Sequence, residues 1–226
     1  MSTDSFTLKR HLIRNLSIIL LTTIALAYGA SRATLPDPAT DISTSTAKGK
    51  QTAVFSGGCF WGMEAVFEHL KGVSDVVSGF SGGSAATANY EIVSSGLTGH
   101  AESVKVSYDP SKISYSQLLK IYFLVAHDPT QLNQQGPDTG TQYRSAIFFV
   151  NEEQRRVAQA YIDQLNKAHI FDKQIVTQLV PLKGFYKAEE YHQHFIDHNP
   201  DNPYVVVNDL PKIAQLQAKF PDLYKK

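Results

Sequence analysis

The chain has 226 residues, enough for one domain with a real core plus terminal additions. Its 21 basic residues balance 21 acidic ones, so no general electrostatic attraction to nucleic acid or to anionic membrane is built in. An apolar fraction of 42% and a charged fraction of 19% are those of an ordinary globular protein.

The first segment, residues 1–31, differs in kind from the rest. Lys9, Arg10 and Arg14 precede an apolar run from Leu16 to Ala27, and small residues follow at Gly29, Ala30 and Ser31. These are the parts of a secretory signal. The apolar run is shorter than the roughly 20 residues of a comfortable membrane span, but extended to residue 30 it has the makings of an uncleaved anchor. Basic residues on its amino-terminal side place the remaining chain away from the cytoplasm. The expectation is export, periplasmic or secreted, with any membrane contact confined to residues 16–30. Residues 32–50 are rich in Ser, Thr, Ala, Asp and Pro without periodicity and read as a flexible linker.

Gln51–Ser56 reads as a first strand and Phe60 to Leu70 as a first helix, with Phe60, Met63, Phe67 and Leu70 on one face. Between them lies Ser56-Gly57-Gly58-Cys59-Phe60-Trp61-Gly62, which holds the only cysteine and the only tryptophan. Cys59 therefore belongs at a strand-to-helix turn. Free amides and the positive end of the helix dipole there favour a thiolate over a thiol, whose unperturbed pKa is about 8.5. The plainer reading is a buried, inert thiol acting as a small hydrophobe. One cysteine permits no intrachain disulfide, and an odd thiol in an exported chain is a reactive group or an intermolecular link.

Val73 to Phe80 is a second strand, followed by a long loop from Ser81 to Asn89 that Tyr90 closes. Val104, Val106 and Tyr108 alternate in a third strand that ends at Asp109-Pro110. Glu102 falls on the same face as these three, so it is either a buried carboxyl, paired or protonated, or a frayed strand end that meets water. Ser114 caps a helix running to about Val125, and His127 to Thr141 is a second long polar loop. Tyr143 to Val150 is a strand, Asn151 caps a helix from Glu152 to Ala168, and Gln174 to Leu182 is another strand. Glu189 to Asp197 reads as a short helix. The Pro-broken tail, residues 205–226, reads as irregular, with one helical turn near Ile213 to Lys219. Two β-α-β units in series fit an α+β fold, a ferredoxin-like two-layer sandwich with helices on one face of a mixed sheet.

Several motifs can be set aside. His100-Ala101-Glu102 matches half of a zinc deaminase signature, but the Cys-x-x-Cys half cannot exist with one cysteine. Glu190, His194 and His198 are spaced four apart, yet Asn199-Pro200 ends that helix and a solvated face is the simpler reading. Neither glycine-rich run has the spacing or lysine of a phosphate loop.

Six blocks in order carry a family resemblance. They are Gly57-Gly58-Cys59-Phe60-Trp61-Gly62-Met63-Glu64, Gly79-Phe80-Ser81-Gly82-Gly83, Tyr90-Glu91-Ile92-Val93 and Thr98-Gly99-His100-Ala101-Glu102, then His127-Asp128-Pro129-Thr130-Gln131 with Asp138-Thr139-Gly140-Thr141-Gln142-Tyr143-Arg144-Ser145, and finally Ala188-Glu189-Glu190-Tyr191-His192-Gln193. As a set they resemble the peptide methionine sulfoxide reductase A family over residues 51–204. The resemblance implies that Cys59 is the nucleophile toward the sulfoxide sulfur and that Phe60 and Trp61 wall the substrate methyl group. It implies that Glu102 protonates the sulfoxide oxygen, that Tyr90 and Tyr143 donate hydroxyls to it, and that Asp138 organises the site. It also implies action on the S epimer, a sulfenic acid on Cys59, no bound cofactor or metal, and oxidised proteins or peptides as substrates. A monomer is expected.

Two departures stand out. Many members carry further cysteines near the carboxyl end, and this tail has none. An external thiol must then reset Cys59: thioredoxin, a glutaredoxin-like protein or a small thiol. Ser84 to Asn89 also lacks the family's usual Tyr and Pro. Two other classes remain distinguishable in principle: a cysteine hydrolase using Cys59 with His100 or His192, and a peptide-binding module with an inert thiol.

Overall fold

Alternating apolar side chains build the centre of the molecule from strands β1 (Gln51–Ser56) and β3 (Ala101–Tyr108), which pair antiparallel with Phe55 opposite Val104. The computed structural model describes residues 35–42 and 49–226. The signal or anchor segment expected at residues 1–31 lies outside the described residues. Among the described residues no helix is long and apolar enough to cross a membrane.

Helix α1 (Phe60–Glu68) follows β1, and strand β2 (Val73–Ser81) returns beside β3. A single turn, α2 (Tyr90–Val93), precedes β3, and α3 (Tyr115–Ile121) follows it. Two-residue strands β4 (Gln134–Gln135) and β5 (Asp138–Thr139) make a small hairpin inside the second long loop. Strand β6 (Ala146–Phe149), helix α4 (Glu152–Lys167), and the short strands β7 (Gln178–Pro181) and β8 (Phe185–Lys187) come next. The sheet order is β7-β6-β1-β3-β2-β8, antiparallel except for the parallel β6–β7 pair.

The period of two sorts side chains between the faces. Ala53, Phe55, Val104, Val106 and Ile147 point to the side where Phe67 of α1, Leu118 of α3 and Tyr161 of α4 complete the main core. Val54, Ala101, Ala146 and Phe148 point to the other side, covered by Val180, Leu182 and Phe185. The expected caps are present. Ser114 accepts from the Gln117 backbone at 3.2 Å while the Gln117 side chain accepts from the Ser114 backbone at 2.9 Å, a reciprocal capping box. Asn151 accepts from the Gln154 backbone at 2.9 Å.

Four expectations need correction. Residues 35–42 do not behave as a flexible linker: Leu35 is buried in the core, and Pro36 and Ala39 bond Tyr161 and Gln164 of α4. Asp37 pairs with Lys120 at 2.6 Å and Asp41 accepts from Ser116 of α3 at 2.6 Å. The helix expected over Glu189 to Asp197 is split into a 3-10 turn (Glu190–His192) and α5 (Phe195–His198), because His194 takes a left-handed φ of 49° between them. The strands expected over Tyr143 to Val150 and Gln174 to Leu182 shorten to β6 and β7, while β8 was not anticipated.

The tail is not irregular. Val205–Asp209 form a π-helical turn that runs into α6 (Leu210–Lys219). Val205 and Leu216 are wholly buried, and α6 packs against α1. Leu216→Ala is therefore expected to lower unfolding stability by about 2–5 kcal/mol in urea, as for a buried leucine; a loss within about 0.5 kcal/mol, normal for an exposed residue, would contradict the docked helix.

Candidate active site

The site begins where β1 runs out. Gly58 has φ of +92°, and its N–H donates to the Tyr143 carbonyl at 3.1 Å. A Cβ at Gly57 would lie 2.6 Å from the His127 ring, so this residue has no room for a side chain. The chain then enters α1 with Cys59 as the N-cap in non-helical conformation, its thiol making no capping bond. Helix starts leave their first N–H groups without partners. Here the Phe60 N–H donates to Glu102 Oε2 at 3.0 Å. The side chain of a residue on β3, the strand next to β1, thus caps α1.

That bond decides between the two readings of Glu102. The side chain is 2% exposed, so it is no frayed end. Burial raises its pKa, with a smaller push from Asp138, and the Phe60 N–H opposes both; the result is about 8. At neutral pH Glu102 is largely a neutral acid, able to give a proton.

Cys59 is 8% exposed. The expectation of a favoured thiolate is overturned in the resting protein. Burial pushes the thiol well above its usual range, the Glu102 and Asp209 carboxylates push the same way, and the Trp61 N–H and Lys212 only partly oppose them. Loss of solvent outweighs the helix start.

The other expected residues gather on the same spot. Tyr143 is pushed up by burial and then by Glu102, Asp138, Tyr90 and Cys59, which places its phenol among all four. Tyr90 is raised by burial, then by Glu102 and Cys59. Asp138, on β5, accepts a hydrogen bond from the Tyr204 hydroxyl, and burial raises its carboxyl despite that bond. Phe60 is enclosed by Phe80, Tyr90 and His192, at ring separations of 5.8, 6.5 and 5.0 Å. Trp61 is only partly buried. It stacks on Phe195 at 3.6 Å, meets Tyr204 edge-on, and donates its indole N–H to His192 Nδ1 at 3.1 Å.

Tyr204, Asp209, Lys212 and Phe195 were missed from the sequence. Asp209 and Lys212 come from the tail read as irregular, Tyr204 from just before it, and Phe195 from the stretch read as a plain helix. Asp209 is fully buried and holds Lys212 at 3.1 Å. This pair sits on Gly62: an added Cβ there would lie 2.1 Å from Asp209 Oδ1 and 2.8 Å from Lys212 Nζ. Glu189, part of the last block, ties in the loop by accepting from the Tyr90 N–H at 3.0 Å.

The histidines do not form a hydrolase pair with the thiol. His100 Nε2 bonds the Ser84 carbonyl at 2.9 Å and its Nδ1 accepts from Gly83 at 3.2 Å, fastening the loop after β2. His192 Nδ1 is taken by Trp61.

The chain is similar to known proteins over most of its length. The family model described as "Peptide methionine sulfoxide reductase" matches residues 51–223. A protein of Mesorhizobium japonicum, "Peptide methionine sulfoxide reductase MsrA 2", is 58% identical over 180 residues, covering 80% of this chain and 92% of its own. A Synechocystis protein of the same description is 54% identical, covering 84% and 90%. Among solved structures, methionine sulfoxide reductase A of Corynebacterium diphtheriae shares 34% identity with a TM-score of 0.60, covering 74% of this chain and 84% of its own. Reduced Mxr1 from Saccharomyces cerevisiae shares 32% with a TM-score of 0.63, covering 74% and 94%.

The raised thiol has a direct readout. Iodoacetamide is expected to alkylate Cys59 in the native chain more slowly than free cysteine at pH 7, with the rate still climbing beyond pH 9. A rate that levels off below pH 7 would show a stabilised thiolate instead.

Proposed function

Because the chain belongs to the peptide methionine sulfoxide reductase A family, and is a peptide-methionine (S)-S-oxide reductase, we propose how its own residues carry out that reduction. The observation that carries the reading is the buried, largely protonated Glu102, held against the N-terminus of the helix that Cys59 caps.

A sulfoxide oxygen is a poor leaving group until it is protonated or strongly hydrogen-bonded. Glu102 supplies that proton as Cys59 Sγ attacks the sulfoxide sulfur, and the proton lost by the thiol returns to Glu102. Protonation strengthens the electrophile and so compensates for a thiol that is mostly protonated at rest. Tyr90 and Tyr143, both kept as neutral phenols, donate to the oxygen as charge gathers on it; such donors contribute a few kcal/mol each. Asp138 acts through its neighbours: it takes the Tyr204 hydroxyl and raises Glu102 and Tyr143. The partly buried Trp61, stacked on Phe195, and Phe60 beside it form the wall for the substrate methyl group.

The oxygen ends on sulfur. Methionine leaves, and Cys59 is oxidised by two electrons to the sulfenic acid. One external thiol then forms a mixed disulfide with release of water, and a second restores Cys59 and leaves as a disulfide. With one cysteine in 226 residues, both come from outside: thioredoxin, a glutaredoxin or a small thiol, with no bound cofactor.

The same proposal places the enzyme outside the cytoplasm, repairing exported oxidised proteins and acting also on free methionine sulfoxide, as a monomer. Its support is the amino-terminal pattern of basic, apolar and small residues. Strand order β6-β1-β3-β2, with α1 and α3 in the two crossovers, supports a ferredoxin-like core extended by β7 and β8.

The chemistry is tested with a racemic methionine sulfoxide peptide and dithiothreitol. At most half is expected to be consumed, and none by Cys59→Ser; dimedone is expected to label Cys59 after one turnover without reductant. The acid role has its own signature. Glu102 is protonated below a pKa of about 8 and loses its proton above it, so kcat/KM is expected to fall as pH rises through that value. Glu102→Gln is expected to lower kcat/KM about 10²–10⁴-fold and to abolish that limb. Wild-type turnover in Glu102→Gln would remove the general acid from the scheme.

A further inference from the structure

Both glycines before Cys59 have a side chain standing where their own would be. A Cβ on Gly57 would lie 2.6 Å from Cγ and 2.7 Å from Cδ2 of His127. One on Gly58 would lie 2.6 Å from Cγ and 2.8 Å from Cβ of Gln135. Both side chains belong to the second long loop. His127 follows the π-helical turn Tyr122–Ala126, and Gln135 lies in β4. The path of the chain into Cys59 is therefore set by what this loop places against it.

Each of these supports is itself tied down. His127 is buried, with Nδ1 3.0 Å from the Tyr122 carbonyl and Nε2 2.7 Å from Ser145 Oγ. A carbonyl only accepts, so Nδ1 carries the proton. Burial pushes the ring's pKa down to about 4, opposed by the Tyr122 carbonyl and Asp128 and helped by the Lys212 ammonium. The neutral ring then accepts at Nε2 from the Ser145 hydroxyl. The Tyr122 hydroxyl donates to the Ser56 carbonyl at 2.8 Å, so the residue before Gly57 is held from the same turn. Gln135 is tied in both directions to the residue after His127. Its Oε1 accepts from the Asp128 N–H at 3.2 Å, and its Nε2 donates to the Asp128 carbonyl at 3.1 Å. Across the hairpin Gln135 pairs with Asp138.

We propose that His127 and Gln135 are positioning residues for sulfoxide reduction, acting on Cys59 through Gly57 and Gly58 and holding it in register with Asp138. A side chain that only fills a core meets other side chains, which can repack around it. These two press on backbone that has no side chain, one and two residues before the reacting sulfur. The Gly58 N–H bond to the Tyr143 carbonyl holds the same turn from another side. Cys59, Tyr143 and Asp138 thus share one frame. Misplacing a reacting atom by about 1 Å is enough to cost about 10²-fold in rate. The inference rests on the reading of Cys59 as the nucleophile.

The residue types follow from the task. An imidazole is flat enough to lie against a glycine and bonds at both edges, so it neither turns nor retreats. An apolar ring of that size would touch Gly57 without being anchored. The Gln135 amide bonds Asp128 through both its atoms, so the hairpin that carries Asp138 leaves Gly58 only by breaking two hydrogen bonds.

The experiment uses the full chain and follows methionine release from a methionine sulfoxide peptide in a single turnover without reductant. His127→Ala and Gln135→Ala are each expected to slow release at least about tenfold, with the half-saturating peptide concentration within about twofold of the parent's. Gly57→Ala is expected to slow release as well, because its methyl group meets the imidazole. Combining Gly57→Ala with His127→Ala is expected to cost no more than the slower of the two alone, since both act through one contact. If the two losses multiply instead, the ring does not act through Gly57 and the proposal is overturned. Release within about twofold of the parent in Gln135→Ala, or in His127→Ala that still folds by circular dichroism, overturns it too. Gln135 is only half-buried, so Gln135→Ala decides the matter where His127→Ala does not fold. Release by Cys59→Ser would be a different failure, that of the nucleophile itself.

Discussion

The hydrogen bond from the Phe60 N–H to Glu102 is the contact on which the site depends. It answers two demands at once. A helix that starts without a Ser, Thr, Asp or Asn cap needs an acceptor for its first amides. A carboxyl pointing into an apolar core needs a donor. Each group meets the other's demand, and the bond fixes β3 against the first turn of α1. The Phe80–Glu102 pairing in the sheet then sets where β2 lies relative to that turn. Cys59 stands one residue before the donor, so its position follows from the same contact.

The bond also limits the local electrostatics. One N–H lowers the Glu102 pKa, but burial raises it more, and the acid stays largely neutral. The same burial keeps Cys59 a thiol. Burial of this depth leaves both protons on their groups at neutral pH. The aromatic packing serves that burial: Phe60, Phe80, Tyr90 and His192 close one side, and Trp61, Phe195 and Tyr204 another.

Much of this was legible because it is local. The period of two in β3 put Glu102 on the apolar face, though not whether it met water there, and Ser114 and Asn151 announced their helices through cap chemistry that acts over three residues. What was hidden depends on distance or on an exception. Pro200 and Pro211 read as helix breakers, yet Pro211 sits in the first turn of α6, where a missing N–H costs nothing. That misreading concealed Tyr204, Asp209 and Lys212 together. His194 broke a helix that the pattern continued, because a left-handed histidine has no signal in composition. β8 has three residues, too few to show alternation. The thiol's acidity was misjudged because a helix start is visible in sequence and the depth at which it lies is not.

The strap formed by residues 35–42 has a consequence for how the chain matures. Its bonds from Ala39 to Gln164 and from Tyr161 to Pro36 each span 125 residues. During synthesis the strap emerges early and waits for α3 and then α4, the two helices it bonds. Contacts separated so far in sequence form late, because the loop between them must first be closed by other structure. Leu35 is therefore an apolar side chain whose burial depends on helices made much later in the chain. The start of the domain is the part that reports its completion, and protease protection at residues 35–42 would mark the mature form.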